Sequence, residues 1–276
     1  MHFATAKDGM KLAYRLYDFT DPWENAPHIL LMAGLARHSG FWYQWIPYLS
    51  RFYKIIAPDL RGFGQSREGF STERNFNLDT FTQDIATVLD HAGIEHLHYC
   101  GEAFGGVLGM QVAATFPERI RTLSLVGAPI KLGENVRKAF AQGGGSWGDT
   151  ARKIGVRAWI ESTNKIDRFP AWMPDGFIQW YTDEISKGDQ DTVVAFSKIS
   201  ESFNQLEFLE RIKCPVLGIY PNHRWEHAET LKQHVKDLTI QNIPVKYSLF
   251  KFVHPRETAE AVLSFVAQKD GRLLRD

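Results

Sequence analysis

The 276-residue chain alternates short apolar runs with amphipathic stretches, the pattern of βαβ units that build a mostly parallel sheet. Lys11–Tyr17, Ile29–Met32 and Lys54–Ala57 read as strands. Within Asp79–Ala92 the apolar residues Phe81, Ile85, Val88 and Leu89 recur at helical spacing, and Gly93 supplies a stop. His96–Cys100 reads as the next strand and runs into Gly101-Glu102-Ala103-Phe104-Gly105-Gly106. A helix over Val107–Phe116 follows and ends before Pro117. Arg121–Val126, Pro215–Tyr220 and Thr239–Ile243 read as the remaining strands, with a helix containing Glu229–Leu238 between the last two.

From about Ile130 to Gln205 the alternation stops. This stretch holds a glycine triplet at 143–145 together with Trp147, Trp159, Trp172, Trp180 and Tyr181, and reads as mostly helical. Strands resume after Cys214. The expected organisation is an α/β core formed by residues 1–130 and 206–276, interrupted by a helical cap over residues 131–205. The cap's aromatic residues either line a pocket or pack helix against helix.

Charge and composition narrow the function classes. Lys+Arg number 32 and Asp+Glu number 32, so the formal net charge is zero. Nucleic acid or an anionic membrane as the main partner would favour a basic surplus. The segment Met1–Lys11 lacks the apolar run of a signal peptide, and runs such as His28–Ala33 are far short of a membrane span. A soluble cytoplasmic enzyme is the expectation. Cys100 and Cys214 are too few for a disulfide framework. His96 with His98, and His223 with His227, lack an acidic or cysteine companion for a metal. No Lys-Ser/Thr follows Gly106, as a phosphate loop would require. No metal or cofactor is expected.

The informative segment surrounds Ala103. Glycines at 101, 105 and 106 leave room for a sharp strand-to-helix turn, the setting of the nucleophile elbow Gly-x-Ser-x-Gly. Asp59-Leu60-Arg61-Gly62-Phe63-Gly64-Gln65-Ser66, Ala33-Gly34 after a strand and Pro117-Glu118-Arg119 at a helix end accompany it in order. With these four motifs the chain resembles the α/β-hydrolase family over nearly its whole length, in the manner of small esterases, enol-lactonases and carbon–carbon bond hydrolases. The resemblance implies a nucleophile, a histidine base, an orienting acid and two backbone N–H donors for an oxyanion.

This sequence departs from that pattern at three positions. The nucleophile position is Ala103, whose methyl group cannot attack a carbonyl. The family's spacing from Pro244 and Pro255 puts the base position at Ser248, whose hydroxyl is not basic at neutral pH. His254, six residues on, would serve only in a rearranged loop. After the strand ending at Tyr220 the family usually shows Gly-x-x-Asp, whereas Pro221-Asn222-His223-Arg224 stands here. His223 and His227 either replace the base from another direction or face solvent at a helix start. Three departures fit natural loss of the triad better than a single trapping substitution.

What the resemblance retains is the electrophile-binding half of the site. Backbone N–H groups of Leu35 and Phe104 occupy the oxyanion positions, beside the positive end of the following helix. Arg37 and His38 are candidates to bind a carboxylate or to act as acid or base, or else belong to a solvated loop. Glu102 is either a base or a support residue. Trp42, Trp45, Trp147, Trp159 and Trp180 are candidate pocket residues. The leading expectation is an enzyme of this fold that binds a small apolar carbonyl compound and runs lyase, isomerase, cyclase or decarboxylase chemistry. The alternatives are a serine hydrolase carrying a Ser-to-Ala change at 103, and a ligand-binding protein without chemistry.

Overall fold

The computed structural model describes residues 1–71, 75–164, 166 and 168–274. Residues 165 and 167 of the expected cap, and 275–276 at the end of the expected core, lie outside them. The strands are β1 (His2–Thr5), β2 (Lys11–Tyr17), β3 (His28–Met32), β4 (Lys54–Pro58), β5 (Leu97–Glu102), β6 (Ile120–Val126), β7 (Val216–Pro221) and β8 (Leu238–Ile243). They form one sheet in the order β1-β2-β4-β3-β5-β6-β7-β8. β2 runs antiparallel to both neighbours, and every pairing from β4 to β8 is parallel. β5 and β7 are buried along their whole length; β7 accordingly reads as a continuous apolar run, whereas β5 also buries His98 and Glu102.

Two elements differ from the sequence reading. β1 was not anticipated, because it is a four-residue edge strand in which only Ala4 is buried. The helix after β7 spans Trp225–His234, and Leu238 opens β8 instead of closing a helix. β8 is an edge strand of mixed exposure, so it carries a weak apolar signal.

Each face of the sheet has its own core. On one face, Leu30, Tyr99 and Leu123 pack with Phe81, Ile85 and Val107. On the other, Ile29, Leu31 and Ile219 pack with Trp42, Trp45, Val262 and Val266. The helix Phe104–Thr115 is buried at every position except Thr115, so its sequence is apolar all round instead of amphipathic.

Between β6 and β7 the chain forms the helices Glu134–Ala141, Trp147–Ile154, Val156–Asn164, Asp175–Ser186 and Gln190–Ser202. This excursion leaves and returns at one point. Lys131 and Asn204 form an isolated antiparallel bridge, and the Gln205 N–H donates to Ile130 O at 2.9 Å. The Gln205 amide then donates to Val107 O at 2.8 Å, fastening the return to the helix behind Ala103. No helix among the described residues is long and apolar enough to cross a membrane.

Candidate functional site

At the end of β5 the backbone turns sharply through Ala103, which has φ 49° and ψ −116°. A non-glycine residue in so sparsely populated a region costs about 1–3 kcal/mol. The turn is held from both sides. The Ala103 N–H donates to Val126 O at 3.0 Å, while Ala103 O accepts from Gly106 and Val107 N–H. Glycine is required at two flanking positions. A Cβ at Gly101 would overlap the Gly105 carbonyl, and one at Gly105 would overlap that of Met32. Phe104 opens the helix, so its N–H lies among the unbonded donors of the first turn. A second tight turn follows β3, where the Arg37 N–H donates to Gly34 O at 3.1 Å and Ala36 takes a positive φ of 54°.

These two turns form the floor of a mostly apolar cavity. Leu35, Ala103, Phe104 and Val107 contribute from the sheet side, and Phe140, Trp147, Trp159, Ile185 and Phe196 from the helical excursion. Trp147 and Trp159 stack at 4.6 Å between ring centroids, and the Trp147 indole N–H donates to Ser200 Oγ at 3.0 Å. The rings are therefore fixed by their neighbours. Ser248 lines the same cavity as Ala103.

Three arginines reach this apolar space in different electrostatic states. Arg37 is clamped by Glu102, with Nη2 at 2.8 and 2.7 Å from the two carboxylate oxygens and Nε at 3.1 Å. Glu102 also accepts the Gly34 N–H at 3.1 Å. Burial alone would push this carboxyl up. The charges of Arg37 and Lys251 and the hydrogen bonds from Arg37 and Gly34 outweigh it, leaving Glu102 below the usual carboxylate range. Glu102 is thus a support residue, tied to the turn at Gly34 and already ionised.

Arg168 and Arg224 are held differently. Arg168 is buried, donates to the Tyr181 hydroxyl at 3.2 Å and lies 5.1 Å from the Phe140 ring centroid. Arg224 contributes one long contact, 3.4 Å to Gly127 O. Neither meets a carboxylate among the described residues. Burial pushes both guanidinium groups below their ordinary value.

Comparison with known proteins accords with this geometry. Residues 27–157 match the alpha/beta hydrolase fold family. The enol-lactonase from Burkholderia xenovorans LB400 superposes with a TM-score of 0.84 at 20% identity, covering 96% of this chain and 100% of that one. An esterase from Exiguobacterium antarcticum gives 0.83 at 14% identity, covering 96% and 98%. This is an α/β-hydrolase-fold protein. Its curated relatives include proteins named carbamate hydrolase RutD. The one from Azorhizobium caulinodans is 35% identical over 112 residues, 41% of each chain. The one from Klebsiella pneumoniae is 25% identical over 195 residues, 70% of this chain and 67% of that one. The chain thus matches less than half the length of the first of these relatives.

Within the α/β-hydrolase fold, the structure gathers some of the anticipated residues and scatters others. Ala103, Phe104, Leu35, Arg37, Trp147, Trp159 and Ser248 line one cavity. Trp42 and Trp45 do not line it. They are fully buried in the core on the opposite face of the sheet, where the two indoles meet edge to face at 5.0 Å. Trp180 packs against Phe41 and Tyr43 beside a separate outer groove.

No histidine among the described residues lines the cavity. His254 stands in a different groove with Pro255 and Gln268 and lies 3.6 Å from Glu257. The exposed His223 belongs to the short turn Asn222–Arg224 after β7. His38 caps the turn Ser39–Trp42, with Nδ1 accepting the Gly40 N–H and Nε2 3.2 Å from Glu184. Because Nδ1 accepts, the proton on the neutral ring sits on Nε2 and is donated to Glu184. His38 lines a neighbouring groove with Asp59 and Lys187. Arg168 and Arg224 were missed as site residues. Arg224 was legible in principle, since it stands in the loop where the sequence resemblance implied an acid. Arg168 had no signal in the sequence.

Proposed function

We propose that this chain is an enzyme that binds a small apolar carbonyl compound beneath a helical cap, residues 131–205, and converts it without hydrolysis. One observation carries this reading: the elbow keeps its strained backbone at Ala103, yet among the described residues the cavity above it offers a methyl group, Ser248 and no imidazole. The strain would bring no benefit to a turn whose only task is to join a strand to a helix. It is explicable where the turn still aims backbone N–H groups at a ligand.

In this reading Leu35 and Phe104 donate their N–H groups to a ligand oxygen on which negative charge develops. The helix beginning at Phe104 adds its positive end there. Trp147, Trp159 and Phe196 exclude water and orient the apolar part. With no imidazole at hand, the cavity suits steps in which the protein polarises a carbonyl better than steps in which it must first take a proton. Decarboxylation and cyclisation fit this requirement best among the lyase, isomerase, cyclase and decarboxylase classes. No resident metal or cofactor is invoked, and a cytoplasmic setting fits the neutral charge balance.

The test is turnover of β-keto acids and enolisable ketones, followed by mass spectrometry beside p-nitrophenyl esters. Conversion of the former without ester hydrolysis is expected. Ester hydrolysis by the unsubstituted chain would overturn the reading, and so would saturable binding with no product at long incubation.

A second reading is a hydrolase inactivated at one position. It draws on relatives named carbamate hydrolase RutD and on the elbow geometry at Ala103. It requires that Ala103→Ser restore labelling by a fluorophosphonate probe. Without an imidazole in the cavity, no labelling is expected.

A further inference from the structure

The loop after β7 brings a cation to the cavity. Arg224 stands there half-buried. Arg168, 6% exposed, lines the same cavity and among the described residues has one neutral hydroxyl and one aromatic ring as neighbours. A guanidinium carries five N–H donors and does not lose its charge in a protein. Placing it in an apolar cavity without a carboxylate is unfavourable unless an anion enters.

Arg37 provides an internal standard. It is equally buried and reaches the same cavity, but Glu102 engages it through three short contacts. Both Arg37 and Arg168 donate to the Tyr181 hydroxyl, each at 3.2 Å. Tyr181 is fully buried on the helix Asp175–Ser186 and fixes the side from which Arg168 presents its remaining donors. The neutral pair is thus built into the floor, while the two cations that meet no carboxylate among the described residues line the space a ligand would fill.

We propose that Arg168 and Arg224 form an anion subsite that receives a carboxylate group of the ligand, whose remaining body is apolar and packs on Trp147 and Trp159. A carboxylate fits because its planar pair of oxygens matches the guanidinium fork, and because the surrounding wall is too apolar for a more heavily hydrated group. The inference deepens the preceding reading of the cavity as a ligand site and rests on it. The ligand class narrows from an apolar carbonyl compound to an apolar keto or enol acid. One end is read by two guanidinium groups and the other is polarised by the N–H groups of Leu35 and Phe104.

The test compares 1-naphthylacetate with its neutral amide by titration calorimetry on the full chain. A charge-assisted contact is worth enough to favour the acid by about tenfold or more. Arg168→Met and Arg224→Met should each reduce that preference at least severalfold, weakening the acid more than the amide, whose neutral carbonyl makes the weaker contact. Arg168→Lys, which keeps the charge and loses the fork, should fall between. Thermal melting of each unliganded variant checks its folding, and removal of an unpaired buried cation should not lower the midpoint. Equal affinity for acid and amide would overturn the anion subsite and leave the apolar cavity reading standing. So would a preference that survives in the double variant. Failure of both probes to bind would overturn the two readings together.

Discussion

Two sides of one cavity treat buried positive charge in opposite ways. On the sheet side, Arg37 is locked to Glu102, and Glu102 in turn holds the turn at Gly34. In the helical excursion and in the loop after β7, Arg168 and Arg224 meet only a hydroxyl, a ring and one distant carbonyl among the described residues. The first arrangement is complete without a ligand and serves the fold. The second is complete only when an anion arrives. Lys251 shows why the residue type matters. Buried beneath Trp42 and Phe252, it is pushed down to about 7 by burial, with Glu102 only partly opposing this. A lysine so placed can shed its proton. An arginine cannot, and so its need for an anion persists.

The largest expected effect that tests this contrast is Glu102→Gln. It strands Arg37 in the interior and should lower stability by about 3–5 kcal/mol in urea unfolding. A loss under about 1 kcal/mol would erase the distinction between the two sides.

Next comes pH. The unfolded lysine holds its proton up to its ordinary value of 10.5, whereas folded Lys251 releases it near 7. Between those values the unfolded state binds more protons, so stability should rise with pH across that window. The rise should amount to roughly 2–4 kcal/mol. Lys251→Met should flatten that part of the profile; an unchanged slope would show that another group is responsible.

A smaller effect of opposite sign is expected for Arg168→Met. Removing a buried cation that has no carboxylate partner should stabilise the ligand-free protein by roughly 1–2 kcal/mol. Destabilisation by a similar amount would place Arg168 with Arg37 as a structural residue. The smallest effect should come from Ala103→Gly. Relief of backbone strain is partly offset by the greater chain entropy of unfolded glycine, leaving a gain of about 1 kcal/mol or less. Comparable loss of stability would mean that the turn is not strained at Ala103.

The scaffold was largely legible in the sequence. The strand Lys11–Tyr17 was placed to the residue, and the turn at Ala103 was marked by glycines within a few residues of it. Both signals are local. The aromatic residues were less legible. Phe41-Trp42-Tyr43-Gln44-Trp45 carries four rings in five positions, yet Trp42 and Trp45 enter the core on the far face of the sheet. Trp147 and Trp159 reach the cavity instead. Nothing in spacing distinguishes these cases, since both are buried helix-side indoles. The histidines behaved alike: His38 and His254 sit near the expected loops but turn into separate grooves.

The sequence by itself determined the order of the strands from β2 to β8, the elbow with an alanine at its apex, and the excursion between β6 and β7. It could do so because apolar period, glycine placement and helix stops act over a few residues. Only the tertiary structure decided which charges are neutralised and which await a partner. Arg37 meets Glu102 across 65 positions and Tyr181 across 144. A charge's partner depends on which distant elements pack beside it, and the dielectric around it depends on everything else that excludes water there.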